Sequence, residues 1–157
     1  MQEDRMSDLE VRIEELAPMF VASVRVVSAS PELDAWEKMN TWAGAKGFLG
    51  KVAEHPVYGF NDPNPSEDQK EYGYEFWIKV PPGTESEGEV EIKEFAGGLY
   101  AVATHRGFPN PDIWMRLWNW VQSSSYQWRN THELEKPHDP LAPEDEMIFE
   151  LYLPISK

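Results

Sequence analysis

The chain repeats itself, and no other feature of its 157 residues limits the fold as strongly. The segment Val11-Arg-Ile-Glu-Glu-Leu-Ala-Pro-Met-Phe-Val-Ala22 aligns with Val90-Glu-Ile-Lys-Glu-Phe-Ala-Gly-Gly-Leu-Tyr-Ala101. Ile13 falls on Ile92, Glu15 on Glu94, Ala17 on Ala96 and Ala22 on Ala101, each pair 79 residues apart. Further along, Asp34 and Trp36 fall on Asp112 and Trp114 at a separation of 78, and Asp62-Pro63 falls on Asp139-Pro140 at 77. Tyr74-Glu-Phe-Trp-Ile78 falls on Phe149-Glu-Leu-Tyr-Leu153 at 75. The slow drift is what insertions and deletions in loops produce. A repeated sequence must fold the same way twice, so each half is one supersecondary unit.

Both halves read as strand, helix, strand, strand. In the first, Val11–Ile13 and Phe20–Val27 are β-rich and hinged at Ala17-Pro18; in the second, Val90–Ile92 and Leu99–Thr104 are hinged at Gly97-Gly98. Ser30-Pro31, followed by Glu32 and Asp34, opens a helix near 31–45, and Asn110-Pro111-Asp112 opens one near 110–124. Leu33, Trp36, Met39 and Ala43 form a thin apolar stripe on the first helix. Ile113, Trp114, Leu117, Trp120 and Val121 form a fuller one on the second, with Trp118 at its edge. Each half closes with two strands, Val57–Phe60 with Glu71–Val80, then His132–Glu135 with Met147–Pro154. The predicted fold is α+β: two tandem repeats, about 11–80 and 90–155, joined by a Pro/Gly/Glu-rich linker over 81–89. They form an antiparallel sheet with two helices on one face and pseudo-two-fold symmetry, a single domain over residues 1–157.

Charge narrows the possible partners. Fourteen Lys and Arg stand against 28 Asp and Glu, a net charge of −14, with no basic stripe to meet a phosphate backbone. Direct nucleic-acid binding is therefore not expected, whereas a cation is attracted, although acidity by itself is accounted for by solubility alone. The absence of cysteine excludes disulfides, thiolate zinc sites and thiol nucleophiles. The four histidines lack ligand spacing, Pro137 breaks the helix that a His-Glu zinc motif needs, and no phosphate loop or dinucleotide fingerprint occurs. No cofactor and no metal are expected. The polar start of the chain and the lack of a long apolar run make a cytoplasmic protein away from membranes the expectation.

What remains is aromatic and acidic. Seven Trp, seven Phe and six Tyr can be core alone, but they can also wall a pocket for planar molecules. Strand alternation puts Glu75 and Trp77 on one face of the fourth strand, and Glu150 and Tyr152 on one face of the last. Each half thus presents Glu-x-aromatic, either as a ligand face or as a solvated outer face. Glu133 follows the aromatic pair Tyr126 and Trp128. A carboxylate among rings can receive an organic cation, and with a raised pKa it can act as a general acid or base. As a strand-edge residue it would simply point to water.

The tandem halves, the segment Val90-Glu-Ile-Lys-Glu-Phe-Ala-Gly-Gly-Leu-Tyr-Ala-Val-Ala-Thr104, Trp118-Asn-Trp-Val121 and Phe149-Glu-Leu-Tyr-Leu-Pro-Ile155 resemble the GyrI-like small-molecule-binding domain. That domain is also the effector-binding part of several multidrug-responsive transcription activators. The resemblance runs from about Val11 to Ile155. It implies binding of small hydrophobic organic molecules, cations among them, in a cleft between the repeats. It places the cation-pairing glutamate of the penultimate strand at Glu133, within His132-Glu133-Leu134. Here His132 stands where the family has an aromatic residue, and Glu135 and Lys136 where it has apolar ones, which argues for a more exposed strand. The ligand contacts so implied are Glu133 with Trp118 or Tyr100; Trp114 and the alternating pairs Glu75 with Trp77 and Glu150 with Tyr152 are the further candidate contacts. Two other functions occur in the family: hydrolysis of cyclopropane-bearing compounds, for which Glu133 is the candidate catalytic residue, and gyrase inhibition through a protein interface. Binding without turnover is the favoured expectation, because no nucleophile is evident.

Overall fold

A computed structural model describes residues 9–157. Among the described residues, nine strands and two long helices follow in the order β1 (Val11–Leu16), β2 (Met19–Ser28), α1 (Pro31–Lys46), β3 (Val57–Asn61), β4 (Tyr72–Val80), β5 (Glu91–Phe95), β6 (Gly98–Arg106), α2 (Pro111–Gln122), β7 (Gln127–Trp128), β8 (Leu134–Pro137) and β9 (Ile148–Ser156). A single 3-10 turn, Glu144–Glu146, precedes β9. The class is α+β and the strand pairings are antiparallel.

The chain forms two compact units: residues up to Ala17 together with Gly97–Lys157, and Pro18–Ala96. In the first, β6 lies between β1 and β9, while β8 and the short β7 pair with β9. In the second, β2 lies between β5 and β4, and β3 pairs with β4. The two repeats therefore trade first strands, β1 joining the second repeat's strands and β5 joining the first's. Register repeats along with sequence. Ile13 sits opposite Ala101 as Ile92 sits opposite Ala22, and Leu153 sits opposite Ala101 as Ile78 sits opposite Ala22. The separations of 79 and 75 read from the sequence are thus the separations that equivalent pairings obey.

The trade is made at the hinges. Gly97 and Gly98 have φ of +80° and +139°, where side chains fit poorly, and a Cβ on Gly97 would stand 2.1 Å from the Leu16 carbonyl oxygen. Only glycine lets the backbone turn this tightly against the end of β1.

Each unit buries one helix against one face of its strands. Ile113, Leu117 and Val121 of α2 pack on Ala101, Ala103, Leu151, Leu153 and Ile155. Small alanines on β6 let the helix come close, and the large side chains of β9 fill the remaining space. In the other unit Ala35, Met39 and Ala43 of α1 pack on Ala22, Val24, Ile78 and Val80. The stripe on α1 is shifted from the one expected: Ala35 takes the inner place, and Leu33 is 73% exposed. The caps also differ. Asn110 Oδ1 accepts from the Ile113 N–H at 2.9 Å, whereas the Ser30 side chain makes no cap bond. At the start of α1 the Ser28 hydroxyl serves instead, accepting from the Ser30 N–H at 3.2 Å and donating to Asp34 at 2.6 Å. Gly47, left-handed at φ +80°, ends α1.

Candidate functional site

Strand alternation divides the unit containing α2 into a helix side and an opposite side. On the helix side, Trp114 and Trp118 stand one turn apart on α2, both half-buried. The Trp114 indole N–H donates to Glu135 Oε2 at 3.4 Å. Trp118 meets Trp128 edge to face, with ring centroids 5.8 Å apart, and Trp128 is 39% exposed. Its β7 partner Ile155 lies in the helix-side core. The sequence put Glu133 inside a strand over His132–Glu135, but β8 runs Leu134–Pro137 and Glu133 lies in the irregular chain just before it, because the pairing with β9 begins only at Leu134 opposite Tyr152. Water reaches Glu133, yet loss of hydration raises its carboxyl above the usual carboxylate value. Leu134 is fully buried, and Glu135 and Lys136 are half-buried rather than solvated. Strand β8 is therefore less exposed than its charged residues suggested.

The opposite side is polar and tightly bonded. Tyr100 and Tyr152, each 1% exposed, meet edge to face at 5.7 Å. Arg129 lies over the Tyr100 ring with its guanidinium carbon 5.1 Å from the centroid. It donates to the Ile155 carbonyl at 3.1 Å and the Leu99 carbonyl at 3.0 Å. Burial raises the Tyr100 hydroxyl pKa, and the Arg129 guanidinium opposes that rise in part. The Tyr152 hydroxyl lies 3.2 Å from Glu14 and 3.3 Å from Glu150. Glu150 also takes Arg12 Nη2 at 2.7 Å, and His138 Nε2 lies 2.8 Å from its other oxygen. Burial pushes Glu150 up, but the His138 bond and the Arg12 and Lys136 charges outweigh it, leaving its pKa below the usual value. Tyr100 and Trp118 thus face opposite sides of the strands. The two expected companions of Glu133 therefore lie on different sides of the strands.

Glu75 and Trp77 belong to the other unit and touch each other. Glu75 is 2% exposed, so the solvated outer face is excluded. Three donors converge on its Oε2: Ser23 at 2.6 Å, the Trp77 indole at 2.7 Å and Lys93 at 2.7 Å. Burial pushes this carboxyl up; the three donors and the lysine charge more than offset that, and its pKa falls below the ordinary value. Trp77 stands between Phe60 at 4.9 Å and Phe95 at 5.0 Å.

Four residues in these clusters escaped the sequence reading. Glu135 and Lys93 look like ordinary strand-surface charges, and Arg129 sits in a segment without periodicity. Trp128 was noticeable only as half of an aromatic pair. An open groove of about 960 Å³ in the first unit is lined by Arg12, Thr104, Arg106 and Arg116, among others, but by no Trp, Tyr or Phe. It lacks the walls an aromatic ligand needs. Among the described residues, no three His, Asp or Glu side chains are grouped to hold a metal ion, and no helix is long and apolar enough to cross a membrane.

Known structures share the fold at low identity. The C-terminal domain of EcmrR matches with a TM-score of 0.72 and 16% identity, over 96% of this chain and 99% of that one. In the EcmrR–DNA complex, with a TM-score of 0.75 and 16% identity, 99% of this chain is covered but only 60% of EcmrR, so the chain spans about three fifths of that protein. A hydrolase from Listeria innocua matches with a TM-score of 0.69 and 12% identity over 99% of this chain and 97% of its own. SAV2435, solved bound to tetraphenylphosphonium, matches with a TM-score of 0.61 and 12% identity over 94% of each chain. No curated protein matches the sequence. The family model described as Cass2, integron-associated effector binding protein, matches residues 12–155, and this chain belongs to that family.

Proposed function

We propose that this chain is an effector-binding module of the GyrI-like kind, taking small hydrophobic organic molecules, lipophilic cations among them, at Glu133 and the tryptophans of α2 and β7. One observation carries the reading: Glu133 is an accessible carboxylate whose pKa is raised by loss of hydration, and it leads into β8, where Glu135 accepts from the Trp114 indole one turn along α2 from the Trp118–Trp128 pair. Such a carboxylate has already lost part of its hydration, so pairing it with a poorly hydrated cation costs little, and ring faces add their own attraction. Family membership supports the reading, as does the likeness to SAV2435, whose structure holds tetraphenylphosphonium.

Titration with tetraphenylphosphonium, followed by tryptophan fluorescence and by melting temperature, tests it. Ligand that binds only the folded state raises the melting temperature. Glu133→Gln keeps size and hydrogen bonding but removes the charge, and should weaken the cation by on the order of ten- to hundredfold. A neutral triphenyl compound should be little affected. Equal loss for both, or no loss for either, would refute a charge-reading site. The raised pKa also fits a general acid, so the hydrolase reading keeps a definite test: turnover of a cyclopropane-bearing alkylating substrate that stops in Glu133→Gln.

A further inference from the structure

We propose that Glu75 is a second cation-binding carboxylate, in the unit Pro18–Ala96, and that the chain keeps it occupied with its own Lys93 ammonium, which an incoming organic ammonium ion must displace. Glu75 sits in mid-strand on β4, 2% exposed, beside an indole that stands between two further rings, Phe60 and Phe95. A desolvated carboxylate that already holds an ammonium, with three aromatic rings clustered beside it, has the parts of a receptor for an organic cation that carries an aromatic group. Those parts are already engaged: Lys93 Nζ lies 2.7 Å from Glu75 Oε2. Lys93 is on β5, which borders its unit and pairs with β2, and its side chain is 37% exposed. Its flexible stem can therefore swing into water without moving the backbone. When it leaves, Ser23 and the Trp77 indole still hold the carboxylate oxygen at 2.6 and 2.7 Å. The anionic half of the site is fixed, and the cationic half is tethered and removable.

The other unit supplies an independent precedent. Glu150, the repeat-equivalent of Glu75, also receives a cation from the strand bordering its unit, Arg12 of β1 at 2.7 Å. Yet the two cations do not occupy equivalent positions. Lys93 aligns with Glu14, and Arg12 aligns with Glu91. What recurs is a central carboxylate closed by a cation from a bordering strand, not one pair of positions. An ion pair whose cation is partly exposed while its carboxylate is largely buried contributes little net stability compared with apolar packing, so stability alone does not account for building it twice.

The ligand class follows from the bond being replaced. Lys93 donates an N–H to Oε2, so the competitor is a primary or secondary ammonium carrying an aromatic group, a protonated arylalkylamine. A quaternary cation has no N–H to offer and cannot take over this bond. The test uses 2-phenylethylammonium and isothermal titration, with every variant made in the Glu133→Gln background so that the site proposed above cannot report. Lys93→Ala should bind the probe at least about tenfold more tightly than its parent, the usual worth of a charge-assisted hydrogen bond no longer contested. Adding Glu75→Gln should abolish the gain. Lys93→Gln, which retains a neutral donor, should show an intermediate gain. Equal affinity with and without Lys93, or a gain that survives Glu75→Gln, overturns the proposal. If Lys93→Ala folds only when the probe is present, the probe is replacing the missing ammonium, as expected. If neither Lys93 variant folds even with the probe, the probe does not fit and the proposal fails.

Discussion

Removing Lys93 and removing the charge of Glu75 break the same ion pair but should differ in cost and in pH dependence. In Lys93→Ala a carboxylate that is 2% exposed loses its counter-ion. Stranding a buried charge costs about 3–5 kcal/mol when both partners are buried. Lys93 is 37% exposed, so part of its attraction is already screened by water, and about 2 kcal/mol is the expected loss at pH 7. In Glu75→Gln the lysine is free to hydrate, and the amide still accepts from Ser23 and Trp77 through its oxygen, so the loss should be about 1 kcal/mol or less. The double variant should resemble Glu75→Gln. At roughly 2–4 °C per kcal/mol for a chain of this size, Lys93→Ala should melt about 4–8 °C below the parent. The sign with pH follows from the direction of the shift. In the parent the folded Glu75 pKa lies below its unfolded value. Its contribution is therefore present above the unfolded pKa and is lost as pH falls through the lower folded pKa. Removing Lys93 removes both its hydrogen bond and its charge, each of which lowers the folded pKa, so in the variant the carboxyl titrates above its value in the parent. The penalty then stands above that raised value and is relieved as the carboxyl protonates on acidification. The gap between parent and Lys93→Ala, measured by urea unfolding from pH 7 to pH 4, should narrow steadily toward acid. A gap that does not change with pH, or a Glu75→Gln variant as unstable as Lys93→Ala, would refute the account of a desolvated carboxylate held ionised by Lys93.

Two further predictions concern backbone and hydroxyl. A Cβ on Gly98, at φ +139°, would stand 2.5 Å from Arg129 Nη2, whereas one on Gly88, at φ +58°, meets nothing within 4 Å. Gly98→Ala should cost about 2–3 kcal/mol and release Arg129 from the Tyr100 ring, while Gly88→Ala should cost about 1 kcal/mol; equal melting temperatures would show that Arg129 yields freely. Tyr72, whose hydroxyl donates to Glu32 at 2.6 Å, has its pKa pushed up to about 12 by that bond. An ultraviolet titration of the phenols should therefore lose its latest component in Tyr72→Phe, and Glu32→Gln should move that component down toward the ordinary tyrosine value of about 10.

The sequence disclosed the elements and their order because both carry local signals. Proline at the first turn of each helix, the stripe on α2 and the offsets of the repeat all translate directly into structure. The exchange of β1 and β5 carries no such signal. A chain that turns at Ala17-Pro18 to pair with the next strand and one that crosses to pair elsewhere use the same residues, and only register tells them apart. Leu33 was misplaced because α1 buries alanines, whose small side chains hardly mark a face. The two-residue β7 is too short to have a period.

The candidate sites show a deeper limit. Alternation along Tyr74-Glu-Phe-Trp-Ile78 correctly separates Glu75 and Trp77 from Phe76 and Ile78, but alternation cannot say which face is wet. Both faces of β4 are largely buried, with Tyr74, Glu75, Trp77 and Ile78 all under 9% exposed. When both faces are dry, the informative feature is the mismatch itself: one carboxylate inside a run of aromatic and β-branched residues. Such a residue must find a donor, because an unpaired buried charge is too costly to keep. The donor here is Lys93, 18 residues along the chain and one strand beyond the neighbour of β4. No local rule points from Glu75 to Lys93; the pairing exists only once β5 has docked on β2. At Glu133 the same reasoning runs the other way. The strand that follows it, β8, looked too charged to be buried, yet Glu135 finds an indole N–H and Leu134 is sealed. A charged residue in a strand is thus a request for a partner rather than a mark of exposure, and the partner's position is a property of topology.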